Sequence, residues 1–236
     1  MTQNHPPNYL PVLFAMVKQT KNYKLIDGEL DKVSYGNALY YRPVYFDVQD
    51  IQQLSFVLTE LESQNEASVV RGELTSSALD ILQKTESDLV VETLQDTMSL
   101  SSKLPTIRRT FRDTEEAKAT FKDCQRSWLM FDIDELETPS DIDLSTAQGR
   151  QEAISLAVSL LPPEFHDVTF HYQWSSSAGV KNWETIKLHL WFWVSQPLSS
   201  KVLKSWAKSW TLNSGFKVDL ALFHPIQVHY TSEPVF

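Results

Sequence analysis

Residues 127–134 read Ser127-Trp128-Leu129-Met130-Phe131-Asp132-Ile133-Asp134. The run is short, apolar and aromatic, the composition of a buried strand, and it ends in two acids. Side chains alternate along a strand, so Asp132 and Asp134 share one face. Carboxylates this close repel each other and raise one pKa unless a cation lies between them. Oxygen-rich pairs of this kind suit Mg²⁺ or Mn²⁺. The plain alternative is a strand end turning into solvent, where acids are ordinary.

Downstream, Lys187-Leu188-His189-Leu190-Trp191-Phe192-Trp193 repeats the pattern. Alternation puts Lys187, His189, Trp191 and Trp193 on one face and Leu188, Leu190, Phe192 and Val194 on the other. A Lys and a His side by side suit phosphate oxygens. The turn before them, Ser175-Ser176-Ser177-Ala178-Gly179, offers small hydroxyls and a glycine that let backbone N–H groups approach a phosphate. Here the plain alternative is a core histidine, a snorkelling lysine and a polar hairpin. Phe216-Lys217-Val218-Asp219 then sets a carboxylate after an apolar residue, and Gln227 and His229 share one face of a strand over 226–230. Asp219 is a candidate third metal ligand; a turn acid is the ordinary reading of it.

Around these motifs the second half reads as strand 127–134, polar loop 135–143, and helix 146–161 capped by Ser145 and stopped by Pro162-Pro163. Strand 167–174, strand 186–194 closed by Gln196-Pro197, helix 199–213 ended by Gly215, and strand 226–230 follow. The first half reads as helix-rich: helices at 48–63 and 76–83, a short strand at 68–70, and another helix at 115–125 with Thr114 as cap. The first eight residues read as a loose arm. Strands mixed with helices and hairpins indicate an α+β domain. We divide it into an acidic, helix-rich α/β module over 1–100 and a catalytic-type core over 101–236. The abrupt end at Phe236 is read as that of a fragment of a longer protein.

Composition narrows the function. At 236 residues, with 42% apolar and 22% charged residues, the chain is not a disordered one. One cysteine, Cys124, excludes a disulfide framework and a cysteine-rich zinc site, and indicates a reducing, intracellular (cytoplasmic) setting. No apolar run approaches the roughly 18 residues of a spanning helix, so no membrane partner is expected. The net charge of −9 argues against nucleic acid, but residues 44–100 hold eleven acids against two bases. Residues 101–131 carry seven basic and four acidic residues, and 174–217 six lysines and one acid. Arg108, Arg109 and Arg112, with Lys204 and Lys208 of the 199–213 helix, are candidates for a basic, nucleic-acid-facing surface, and mixed solvated faces are the plain alternative.

The order of these features resembles the archaeo-eukaryotic primase superfamily, which includes the primase-polymerases of plasmids, phages and integrative elements. That family carries an Asp-x-Asp/Glu pair, a Ser-x-His and a lone Asp after an apolar residue. The first corresponds to Asp132 and Asp134 and the third to Val218-Asp219. The second reads Lys187-Leu188-His189, with Lys where the family has Ser. Thr231-Ser232-Glu233-Pro234 is similar to a segment that follows the last Asp in mobile-element members. The resemblance covers about residues 128–236. It implies a modified RNA-recognition-motif-like mixed sheet flanked by helices and packed against a small α/β module. It also implies template-directed nucleotidyl transfer, with Asp132, Asp134 and Asp219 holding two Mg²⁺ or Mn²⁺ ions. His189, Lys187, Ser176, Ser177 and His229 would bind a nucleoside triphosphate (ribo- or deoxyribo-). The expected partners are a single-stranded DNA template and a replicative helicase or carboxy-terminal helicase domain. Two other classes stay open from the residues alone: a metal-dependent nuclease, and a non-catalytic nucleic-acid-binding module for replication initiation.

Overall fold

Two sheets and the seam between them organise the chain. The computed structural model describes residues 8–27, 29–33, 38–179, 183–214 and 218–232. In chain order the elements are β1 (Tyr9–Ala15), β2 (Asn22–Ile26), β3 (Glu29–Val33), β4 (Tyr40–Asp47), α1 (Ile51–Leu61), β5 (Ala67–Val69), β6 (Glu73–Leu74), α2 (Ser76–Leu82), β7 (Val90–Val91) and α3 (Leu94–Ser101). Then come β8 (Ile107–Arg108), β9 (Phe121–Lys122), β10 (Gln125–Glu137), α4 (Ala147–Ser159), β11 (Phe170–Trp174), β12 (Thr185–Ser199), α5 (Ser200–Ser214) and β13 (His229–Tyr230). No described helix is long and apolar enough to cross a membrane.

The larger sheet runs β13-β5-β1-β4-β7, with β8 also on β4; β4–β7 is its parallel pair, so the sheet is mixed. Helix α1 begins where the Asp50 side chain accepts from Gln53 N, and it buries Ile51, Leu54, Val57, Leu58 and Leu61, the spacing of one helical face. The smaller sheet is antiparallel, β10-β12-β11. Its two faces go to different cores. Leu129, Phe131, Ile133, Leu188, Leu190 and Phe192 pack with α4 and α5 through Ala153, Ile154, Ala157, Leu203 and Ala207. Trp128, Met130 and Trp191, on the opposite face, join the core of the larger sheet. The molecule is therefore mixed α+β, with its sheets flanked by helices and stacked on one another along one end of β10 and β12.

Several sequence expectations are corrected. The amino-terminal half is strand-rich, because β1 and β4 build the centre of the larger sheet. That sheet also recruits β8 and β13, so residues on both sides of position 100 share one core. The helix expected over 115–125 is absent. Asp113 Oδ1 accepts from Ala119 N at 2.8 Å and Thr114 Oγ1 from Ala117 N at 3.1 Å, closing a loop that delivers Phe121–Lys122 to pair with β6. Strand β10 runs on to Glu137, β12 runs through Gln196-Pro197 to Ser199, and β11 starts only at Phe170. The final strand is just His229–Tyr230, which leaves Gln227 outside it. Residues 1–7 of the expected arm, Gly215 with its Phe216-Lys217 neighbours, and Glu233-Pro234 lie outside the described residues. Asn8 is held, its carbonyl accepting from Val48 N at 3.2 Å.

Helix α4 is capped by Thr146 rather than Ser145: Thr146 Oγ1 accepts from Gly149 N at 3.0 Å, while Ser145 bonds back to Asp143. Thr146→Ala should cost about 1 kcal/mol, the usual loss for a hydroxyl cap. A urea titration reads this directly, and an unchanged midpoint would deny the cap any weight.

Candidate active site

Directly opposed residues on antiparallel strands project to the same face. Asp132 of β10 lies opposite His189 of β12, and His189 lies opposite Gln173 of β11. One row along, Met130, Trp191 and His171 are aligned in the same way. That second row is sealed between the sheets. The Asp132 row sits where the seam opens, and the face ends in Asp134 and Lys187. The pairing slips between Ile133 and Leu136, a bulge-type irregularity that takes in Asp134, whose side chain is 55% exposed.

Distances follow this layout. His189 Nε2 is 3.5 Å from Asp132 Oδ1, with the two side chains 13% and 27% exposed, and Lys187 Nζ is 3.8 Å from Asp134 Oδ1. Asp219 begins the 3-10 turn Leu220–Phe223, its Oδ1 accepting from Ala221 N at 2.8 Å. That turn packs on β10. Burial pushes the Asp132 carboxyl up to about 7; the charges of Asp134 and Asp219 push the same way, and Lys21 and Lys187 oppose them. Burial drives the His189 imidazole down to about 4, with Asp134 opposing. At neutral pH the face thus presents a neutral imidazole against a carboxyl that releases its proton reluctantly.

Lys21, which the sequence gave no reason to single out, belongs to this site. It lies between β1 and β2 and donates to Ser177 Oγ at 2.8 Å, bridging from the amino-terminal segment to the 175–179 turn. Its charge acts on both Asp132 and His189. The turn is stiffened by Ser175 N donating to the Lys187 carbonyl at 2.9 Å and by the 3.3 Å contact between Ser175 Oγ and Ser177 Oγ. Ser176 is half-buried in it. Gly179 has φ +73°, and a Cβ there would come within 2.7 Å of the Trp183 ring, so only glycine fits.

Other expected residues separate from this group. His229 is a correction: both ring nitrogens are shut off from solvent, and the ring stands edge-on to Trp128 and Trp191. Burial pushes it down to about 3, so it is a neutral core histidine and not a phosphate contact. Arg109 is also structural: Nη1 donates to the Ile226 carbonyl, and the guanidinium lies 5.6 Å from the centre of the Tyr41 ring. Arg108, Arg112 and Lys208 are exposed. Lys204, Arg112 and Arg109 gather around His224, whose pKa falls through burial first and then through these three charges.

Asp132 Oδ1 is buried and makes no hydrogen bond, although the His189 ring lies 3.5 Å away and the charges of Asp134 and Asp219 act on its carboxyl. Such an atom wants a cation or a donor. The oxygen donors Asp132, Asp134 and Asp219 suit a hard divalent ion. Among the described residues no three of His, Cys, Asp and Glu form a ready metal cage, so the three acids share an electrostatic neighbourhood rather than a formed coordination shell. No protein-family model, curated protein or solved structure matches this chain.

Proposed function

We propose that this chain is a nucleotidyltransferase of the primase-polymerase kind, extending or starting strands on a single-stranded DNA template. The observation that carries the reading is the Asp132–His189 juxtaposition at the mouth of the seam, with Asp134–Lys187 beside it and Asp219 in electrostatic range. The first two motifs of the sequence meet on this face, and the charge of the third, Asp219, reaches it. In this reading the β10-β12-β11 sheet with α4 and α5 is the modified RNA-recognition-motif part of an archaeo-eukaryotic primase core, and the larger sheet is its amino-terminal module.

Asp132, Asp134 and Asp219 would hold Mg²⁺ or Mn²⁺. When bound, such ions neutralise phosphate charge and activate a 3′-hydroxyl. Phosphoryl transfer otherwise needs mainly positioning, and this chain supplies it. Lys21, Lys187 and Ser177 bind the phosphate oxygens of the incoming nucleotide. His189 is neutral and held between Asp132 and Gln173, so it presents a ring N–H to a phosphate without adding a charge. Arg108, Arg112, Lys204 and Lys208 follow the template backbone.

The test is a gel assay on unprimed and primed single-stranded templates with Mg²⁺ or Mn²⁺ and each nucleotide type. Labelled products of increasing length support the proposal. Shortened template identifies a nuclease. Metal-independent binding without product identifies a replication-initiation module. Within a positive assay, Lys21→Ala and His189→Ala should each raise the nucleotide KM roughly tenfold or more, the value of one hydrogen bond to a charged group. An unchanged KM would remove that residue from the triphosphate site.

A further inference from the structure

A second cleft opens on the far side of the 175–179 turn. It holds about 850 Å³ and runs along β11, the edge strand of the smaller sheet. One wall is α1, fixed to β11 by the 2.8 Å contact between Ser55 Oγ and His171 Nδ1 and by Gln173 Nε2 donating to Glu62 Oε1 at 3.1 Å. The other wall carries Arg150 of α4, whose Nη1 donates to the carbonyls of Leu144 and Ser145 at 3.1 and 3.0 Å. Tyr172, Trp174 and Trp183 supply flat rings; Trp174 and Trp183 meet edge-to-face at 5.4 Å, and Tyr172 is 43% exposed.

The backbone adds directional groups. Ser175 N bonds to the Lys187 carbonyl, and antiparallel bonding alternates, so residues 171, 173 and 175 turn inward to β12. Phe170, Tyr172 and Trp174 turn their N–H and C=O groups outward along the cleft. A row of alternating donors and acceptors beside one exposed and two half-buried rings matches the two recognition surfaces of a nucleobase: its edge and its π-face. Among the described lining residues Arg150 is the one guanidinium or ammonium, which favours a base over a phosphate track, and Glu62 is already engaged. Ser175 and Ala178 line this cleft and also belong to the turn that Lys21 pins, so a single turn borders both the cleft and the candidate active site.

We propose that the β11 cleft is a nucleobase-binding site that holds one base by stacking on Tyr172 and the Trp174–Trp183 pair. The base comes either from the single-stranded template or from a free nucleotide. This assignment rests on the nucleotidyl-transfer reading for its choice of occupant, because a free strand edge also accepts an extended peptide.

The test is equilibrium binding to the full chain in EDTA, which removes the metal chemistry. A short labelled oligothymidylate, an abasic strand of equal length and free thymidine triphosphate are the three probes. The base-bearing strand should bind about tenfold more tightly than the abasic one, the range of one base–aromatic stack. Tyr172→Ala should bring it down to the abasic level without changing abasic binding, and Tyr172→Phe should restore it. If Tyr172→Ala instead weakens only the triphosphate, the occupant is the nucleotide. No Tyr172 dependence for either, or equal loss for the abasic strand, overturns the proposal and returns the β11 edge to a peptide. Base-dependent binding in a chain that incorporates no nucleotide would sink the catalytic reading and leave the site standing. Incorporation with base-independent binding would sink the site alone.

Discussion

Asp132→Asn should lower nucleotide incorporation by about a thousandfold or more while making the fold more stable at pH 7 and above. The activity loss follows from position. Among the described residues, Asp132 is the carboxylate that lies 3.5 Å from His189, feels both Asp134 and Asp219, and keeps a buried oxygen with no hydrogen bond. Three orders of magnitude correspond to about 4 kcal/mol of transition-state stabilisation, the scale of losing a group that organises charge at the reacting phosphate.

The stability gain follows from the same burial. The carboxyl moves from its ordinary 3.8 to about 7 in the fold. Below 3.8 both folded and unfolded chains hold the proton and there is no penalty. Between 3.8 and 7 the unfolded chain has released it and the folded chain has not, so stability falls as pH rises. Above 7 the penalty is complete, up to about 4 kcal/mol for roughly three pKa units. Asparagine does not titrate, so the variant's stability should be flatter across this window. Added Mn²⁺ should raise the melting temperature of the parent at pH 8 more than at pH 5, since protonated carboxyls bind metal poorly, and should do so less in the variant. Full incorporation by a folded Asp132→Asn chain, or parallel pH profiles for the two proteins, would defeat this account.

Legibility divided along the chain for physical reasons. The β10 and β12 runs are dense in apolar and aromatic residues, and strict alternation along them placed Lys187, His189, Trp191 and Trp193 on one face, as the sheet has them. The amino-terminal strands β1 and β4 are as apolar and aromatic, but each is interrupted by a proline. Pro11 and Pro43 sit inside β1 and β4 and read as strand breakers, yet both lie within the paired ladder. The Glu115–Ala119 stretch has helix-forming side chains, and tertiary pairing of β9 with β6 overrides them. Lys21 could not be found from sequence, since its role comes from a contact 156 residues away. His229 misled for the opposite reason: a histidine beside a polar segment looks like a ligand, and only packing against two tryptophans shows it to be core.

Those tryptophans are where the second large effect is expected: Trp128→Ala should cost about 3–5 kcal/mol, as for other buried aromatic truncations. Trp128 is fully buried on the face of β10 that meets the larger sheet, tilted against Trp191 at 5.7 Å and edge-on to His229 at 6.4 Å. Its carbonyl accepts from Arg71 Nη1, and the Arg71 guanidinium lies 5.0 Å from the centre of its ring. Arg71 is itself buried, its pKa driven down to about 9, and it holds β12 by donating to the Leu198 carbonyl at 2.9 Å. Removing the indole opens a cavity between the sheets and takes the π-face from a buried cation. Trp128→Phe keeps most of the volume and deletes an indole N–H that has no partner, so it should cost less than about 1.5 kcal/mol. Urea unfolding followed by far-UV circular dichroism and by tryptophan emission measures both variants, and a single shared transition is expected because the seam couples the two cores. A loss below about 1 kcal/mol in Trp128→Ala would mean that the sheets are held elsewhere. The position of Asp132, four residues along the same strand, would then need a different explanation.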